Sequence, residues 1–154
     1  MPQRSAGILL FRRTKGQAEV LLIHPGGPFW AKKDDGAWSI PKGLYEASED
    51  VLDAARREFL EETGYVPSGI LIPLGEFRPG SKILTAFALE GDFDLGNFRS
   101  NSFTMEWPPK SGRTQEFPEA DRAGWFTLAE ARRKILKGQL SVLDALSRHL
   151  EGAS

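Results

Sequence analysis

Cysteine is absent from the 154 residues, which excludes disulfides, thiolate-bound metals and cysteine nucleophiles together. Long apolar runs are missing too. No stretch approaches the ~18 apolar residues of a membrane span, and the N-terminus lacks signal-peptide form, so a cytoplasmic protein with no membrane contact is expected. Neither sign of charge dominates, with 20 Lys and Arg against 21 Asp and Glu and a net charge of −1. A general nucleic-acid binder needs clustered positive excess, so no stable nucleic-acid complex is expected. Repeats, low-complexity tracts and linkers are likewise lacking. What remains, 40% hydrophobic and 27% charged, suits one globular domain over residues 1–154 with a sizeable core.

Short apolar runs at Ser5–Arg12 and Glu19–His24, separated by a polar T-K-G-Q turn, predict two neighbouring strands. His24 reads as a strand-end residue. A turn-rich loop from Pro25 continues through Phe29 and Trp30 to Gly36, too long and polar for a tight hairpin, and loops of such length commonly carry function. Either aromatic can stack on a base or close the end of the sheet. Further strands are expected at 70–77, an edge strand because of Pro73, and at 82–89, 102–107 and 123–126. Thr127 to Glu130 forms a capping box that starts a helix over 128–137. Leucines at 140, 143, 146 and 150 mark a terminal amphipathic helix. This order of elements predicts an α/β fold, a mixed β-sheet sandwiched between helices.

The most informative stretch is Gly43 to Tyr65, GLYEASEDVLDAARREFLEETGY. Ser48 as N-cap and Gly64 as a left-handed stop bracket about four helical turns. At roughly 100° per residue, Val51, Leu52, Ala55 and Phe59 form one apolar arc. Glu58, Glu61 and Glu62, at i, i+3 and i+4, share the bordering arc. Like charges so spaced repel, and a helix selected only for stability would interleave lysines. Converging carboxylates suit a hard divalent cation such as Mg²⁺ or Mn²⁺. An ordinary solvated acidic face is the alternative.

The larger spacing runs Gly43, five residues, Glu49, seven residues, then Arg57-Glu58-Phe59-Leu60-Glu61-Glu62-Thr63-Gly64-Tyr65. It resembles the Nudix box, G-x5-E-x7-R-E-U-x-E-E-x-G-U, at every fixed position; only the usually aliphatic U positions depart, as Phe59 and Tyr65. The resemblance implies a Nudix-type α/β/α sandwich whose loop-helix-loop binds Mg²⁺, with Mn²⁺ able to substitute. It further implies hydrolysis of a nucleoside diphosphate linked to some other group, with a small-molecule nucleotide as substrate. Glu58, Glu61 and Glu62 would hold the metal with a carbonyl near Gly43, and Arg57 and Glu49 would orient Glu58 and the helix.

The approach Trp38-Ser39-Ile40-Pro41-Lys42-Gly43 looks like that of family members acting on dinucleoside polyphosphates and relatives, and implies that Lys42 lies beside the phosphates. Lys110 and Arg113, flanking Ser111 and Gly112, have a composition suited to a phosphate tail, and Trp30 is a candidate base-stacking residue. In the family an acidic residue shortly before such a Trp-Phe strand often completes the metal site or serves as base. Glu119 is the first choice here and Glu116 the second, with the box glutamates as the remaining alternative. Two readings compete with hydrolysis of a small nucleotide: pyrophosphate removal from RNA 5′ ends, and nucleotide binding without catalysis. Relatives active on dinucleoside tetraphosphates commonly carry a histidine near Glu119, and this chain has none.

Overall fold

The computed structural model describes residues 3–152. Strands β1 (Arg4–Thr14) and β2 (Gln17–Pro25) are joined by Lys15 and Gly16, with φ of 52° and 80°. Two successive left-handed residues give the turn whose twist matches antiparallel strands. The two strands are in direct register only from Phe11 to Thr14. Beyond that they splay, and the segment leading into the acidic helix enters the gap. Ile23 and Ser39 exchange both backbone hydrogen bonds at 2.9 Å, and β3 (Lys42–Leu44) pairs with Ser5–Gly7 of β1. Gly7 makes this possible, because a β-carbon there would lie 2.8 Å from both the Lys42 β-carbon and the Pro41 carbonyl.

Strands β4 (Ile72–Phe77) and β5 (Ile83–Glu90) complete one side, β5 running parallel to β1 along its length. On the other side β8 (Ala120–Thr127) pairs with β2, giving the mixed order β4-β5-β1-β2-β8 with β3 attached to β1. A separate hairpin is made by β6 (Ser102–Glu106) and β7 (Thr114–Pro118).

Alternate residues of β1 face opposite ways. Ile8 and Leu10 join Leu21 and Phe87 under helix α1 (Val51–Thr63), through Ala54, Ala55 and Phe59. Leu9 and Phe11 join Val20, Leu22 and Trp38 under α2 (Leu128–Lys134) and α3 (Leu140–Gly152), through Ala131, Leu143 and Leu146. Burial on both faces requires helices on both faces, and the expected sandwich is what forms. No helix among the described residues is long and apolar enough to cross a membrane.

Several expected boundaries move. The N-cap of α1 is Asp50, not Ser48: its carboxylate accepts the Leu52 and Asp53 amides at 3.1 and 3.2 Å. Leu52 is exposed while Glu58 is buried, so the helix is rolled toward β3 relative to its apolar arc. The strand expected from residue 70 starts at Ile72, on an edge as Pro73 suggested, with a register shift between Pro73 and Gly75. The helix expected to reach residue 137 ends at Lys134, where the Ile135 backbone turns extended. Strands β3 and β7 were not expected, and β8 is twice the length read from the sequence.

Candidate active site

The acidic helix ends at Gly64, whose φ of 78° lets its amide close on the Leu60 carbonyl. From that end a series of backbone hydrogen bonds crosses the molecule. The Asn101 amide donates to the Glu61 carbonyl at 2.8 Å, the Glu119 amide to the Asn101 carbonyl at 2.7 Å, and the Gly26 amide to the Glu119 carbonyl at 2.9 Å. Gly26 admits this approach because a β-carbon would overlap the Pro118 carbonyl. Glu119 is thereby fixed against the helix, at the lip of a cleft of about 190 Å³ that Lys42, Glu62 and Ser39 also line. Glu116 lies on β7 opposite Thr104, exposed and outside this cleft.

Arg57 organises the other flank. Its Nε and Nη2 donate to the two Glu49 carboxylate oxygens at 2.8 and 2.9 Å, and its Nη1 donates to Glu58 Oε1 at 2.8 Å and reaches Glu61 Oε2 at 3.4 Å. Pairing with Glu49 first, and with Glu58, holds the guanidinium proton more tightly than usual. Glu58 lies over Gly43 so closely that a β-carbon at 43 would occupy its carboxylate. Burial raises the Glu58 pKa, Arg57 opposes the shift, and the charges of Glu61 and Glu119 add to it. The Glu62 carboxyl is pushed up to about 8, chiefly by burial and then by Glu58 and Glu119, against the pull of Lys42. Burial pushes the Lys42 ammonium down, Glu62 and Glu58 pull it up, and Lys82 pushes it further down.

Among the described residues no three Asp, Glu or His side chains already converge to metal-ligand spacing. Glu58 and Glu61 instead share Arg57 Nη1, at 2.8 and 3.4 Å. The donor set nonetheless fits a hard divalent cation. Carboxylates that raise one another's pKa while buried gain by meeting positive charge, and the absent β-carbon at Gly43 leaves backbone open beside them.

The remaining candidates are scattered. Trp30 is half-buried against the core, with the Lys33 ammonium 5.0 Å from its ring centre, and the exposed ring of the pair is Phe29, 62% accessible. Phe29 meets Trp107 edge-on at 5.5 Å. Lys110 and Arg113 sit at the tip of the β6–β7 hairpin, where the Lys110 amide donates to Glu106. Four residue steps separate that tip from the Ser102–Pro118 end, roughly 13 Å of strand, so the structure does not bring them to the glutamates. His24 is fully buried, its Nδ1 2.8 Å from Asp121 and its Nε2 2.6 Å from the Lys33 carbonyl, and it braces the long loop. Sequence reasoning missed Gly7, Gly26 and Gln139. Gln139 Oε1 accepts the Ile40 amide at 3.0 Å, and its Nε2 donates to Ser39 Oγ at 3.0 Å.

A mixed sheet between helices, with a glutamate-bearing loop-helix-loop entering its splayed end, defines a known class of domain. The family model for the NUDIX domain matches residues 1–146, and the chain belongs to that family. Solved structures agree in fold. The NUDIX domain of Shewanella oneidensis NrtR, complexed with ADP ribose, is 17% identical with a TM-score of 0.66, over 97% of this chain and 89% of that one. The C. elegans Ap4A hydrolase in a binary complex is 22% identical with a TM-score of 0.62, over 97% and 98%. A mutT/nudix family protein from Listeria innocua is 20% identical with a TM-score of 0.66, over 99% and 97%.

Proposed function

We propose that the protein is a pyrophosphohydrolase that cleaves a phosphoanhydride bond in a nucleoside diphosphate linked to another group, a nucleoside triphosphate or a dinucleoside polyphosphate. The observation that carries this reading is the meeting of Glu119 with Glu62 and Lys42 across one cleft, which sets a carboxylate opposite both a box glutamate and an ammonium suited to phosphate. Glu58, Glu61, Glu62 and the Gly43 carbonyl would hold Mg²⁺, with Mn²⁺ able to substitute. Bound there, the ion would neutralise non-bridging phosphate oxygens and lower the pKa of the attacking water.

Arg57, held on Glu49, fixes the rotamer of Glu58 and so the direction of its free oxygen. Lys42 offers its ammonium to the phosphate chain. Glu119 accepts the proton of the attacking water, a task that requires hydrogen-bond reach and a carboxylate free of strong pairing; no salt bridge ties it among the described residues. Phe29 takes over the base-stacking role considered for Trp30, since it is the ring open to solvent beside Trp107. Lys110 and Arg113 would be met only by a substrate that extends along the hairpin.

The test is turnover of nucleoside triphosphates, dinucleoside polyphosphates, nucleotide sugars and capped RNA with Mg²⁺, with and without chelator. Glu61→Gln and Glu62→Gln should each lower turnover by at least ~10²-fold in a folded protein, since each removes charge from the metal site. Activity indifferent to chelator and to both substitutions would falsify the metal assignment.

A further inference from the structure

Lys42 has two sides. Toward Glu62 and Glu119 it borders the cleft already described, and away from them it borders a second, wider depression of about 530 Å³. That depression lies between the β4–β5 turn and the connection from α2 to α3, and its charged lining is of one sign: Lys42, Lys82 and Lys137, with no carboxylate. The Lys82 and Lys42 charges repel one another. Neither Lys82 nor Lys137 forms a salt bridge among the described residues, whereas Lys134 in the preceding turn is paired with Asp34 and Asp35. Lys82 and Lys137, set beside Lys42 without a carboxylate partner of their own, raise the energy of the free protein and lower that of an anionic complex.

The walls are built rather than loose. Gly138 abuts Pro79 so closely that a β-carbon would lie 2.8 Å from the proline β-carbon, which brings the two loops together. Gln139 is tied to Ser39 and Ile40, and the Leu136 amide donates to the Trp38 carbonyl at 2.7 Å, so this wall is pinned to the segment that leads into Lys42. Gly80 turns the opposite wall with a φ of 74°.

We propose that this lysine trough is a subsite for further phosphate groups on the part of the substrate beyond the scissile bond, selecting substrates with a polyphosphate chain over those whose second moiety is a neutral sugar. The proposal rests on the hydrolase reading above and names its substrate class. A chain leaving the cleft past Lys42 enters the trough directly, since both share Lys42 and Leu136. Lys82 and Lys137 then serve as point-charge phosphate binders.

The probe is inorganic tripolyphosphate in metal-free buffer, where binding is read by calorimetry without turnover. The Lys82→Gln/Lys137→Gln double variant should weaken binding at least ~10-fold, with a shallower salt dependence, while Lys15→Gln, in the distant β1–β2 turn, leaves it unchanged. Undiminished binding in the double variant, or equal loss in the Lys15 variant, overturns the subsite. With Mg²⁺, the double variant should raise KM for a dinucleoside tetraphosphate at least ~10-fold relative to ADP-ribose, with kcat within about twofold; equal effects on both substrates also overturn it. If the wild-type protein turns over none of the nucleotides tested above while the tripolyphosphate result holds, the hydrolase reading fails and the trough stands. Tighter binding of the dinucleotide than of tripolyphosphate assigns the phosphate chain to a nucleotide substrate; the reverse order overturns that part of the proposal.

Discussion

Arg57→Lys keeps the charge of the guanidinium and removes its planar fork. In the wild type the fork serves both oxygens of Glu49 and one of Glu58, at 2.8 to 2.9 Å. An ammonium on a flexible stem can serve one of those carboxylates at a time, so two or more charge-assisted hydrogen bonds are lost. The arginine is 38% and Glu49 29% accessible, so solvent screens much of that loss and the effect on stability is modest. The consequence for rate is larger than this suggests, because Glu58 loses its fixed rotamer over Gly43, and a partner that orients a metal ligand typically contributes 10–100-fold. The expected result is a folded variant with a Tm a few degrees lower, kcat/KM down ~10–100-fold and weaker Mg²⁺ binding. Metal affinity is read by titrating Tm with Mg²⁺, and rate by phosphate release. Wild-type kinetics and an unchanged titration would reduce Arg57 to surface charge.

Three further outcomes follow from the same geometry. Glu119→Gln should lower kcat by ~10²-fold or more and change KM less, whereas Glu116→Gln costs under ~10-fold; impairment of Glu116→Gln alone would move the base to β7, and of neither would move it to the box. Gly43→Ala should expel the Glu58 carboxylate from its place and cost ~10²-fold in turnover with little change in Tm, since a glutamate end can swing away; an active Gly43→Ala protein refutes the close approach. Without metal, Glu62 holds its proton up to about pH 8 when folded and only to its ordinary value near 4.3 when unfolded. The native state therefore binds more protons at Glu62 between those limits, so the contribution of Glu62 to stability is full below the lower one, falls as pH rises toward 8 and levels off above it. Thermal melts in chelator across that range, with Glu62→Gln as the comparison, decide it; an equal slope in the variant excludes Glu62 as the cause.

What the sequence made legible is local. The Gly64 stop and the capping box at Thr127 each depend on residues within one or two turns, and each is found in the fold. Choices between adjacent residues of one type were not legible. Ser48 and Asp50 are both good N-caps, and Asp50 takes the role because its carboxylate reaches two amides. Phe29 and Trp30 have similar chemistry, and only the path of the loop decides which ring faces solvent. The β3 strand is three residues long, too short to show any period.

The convergence of the site was illegible for a different reason. Glu119 reaches the glutamate helix through main-chain groups of Asn101 and Glu61, and the end of β2 through that of Gly26, and amides and carbonyls are the same in every residue, so no side-chain pattern announces them. What the sequence does carry is the space these contacts need: Gly7 under Lys42, Gly26 against Pro118 and Gly43 under Glu58. Each is a place where a side chain would separate two segments of the site. The carboxylates supply the chemistry, and three missing β-carbons determine whether those carboxylates can meet.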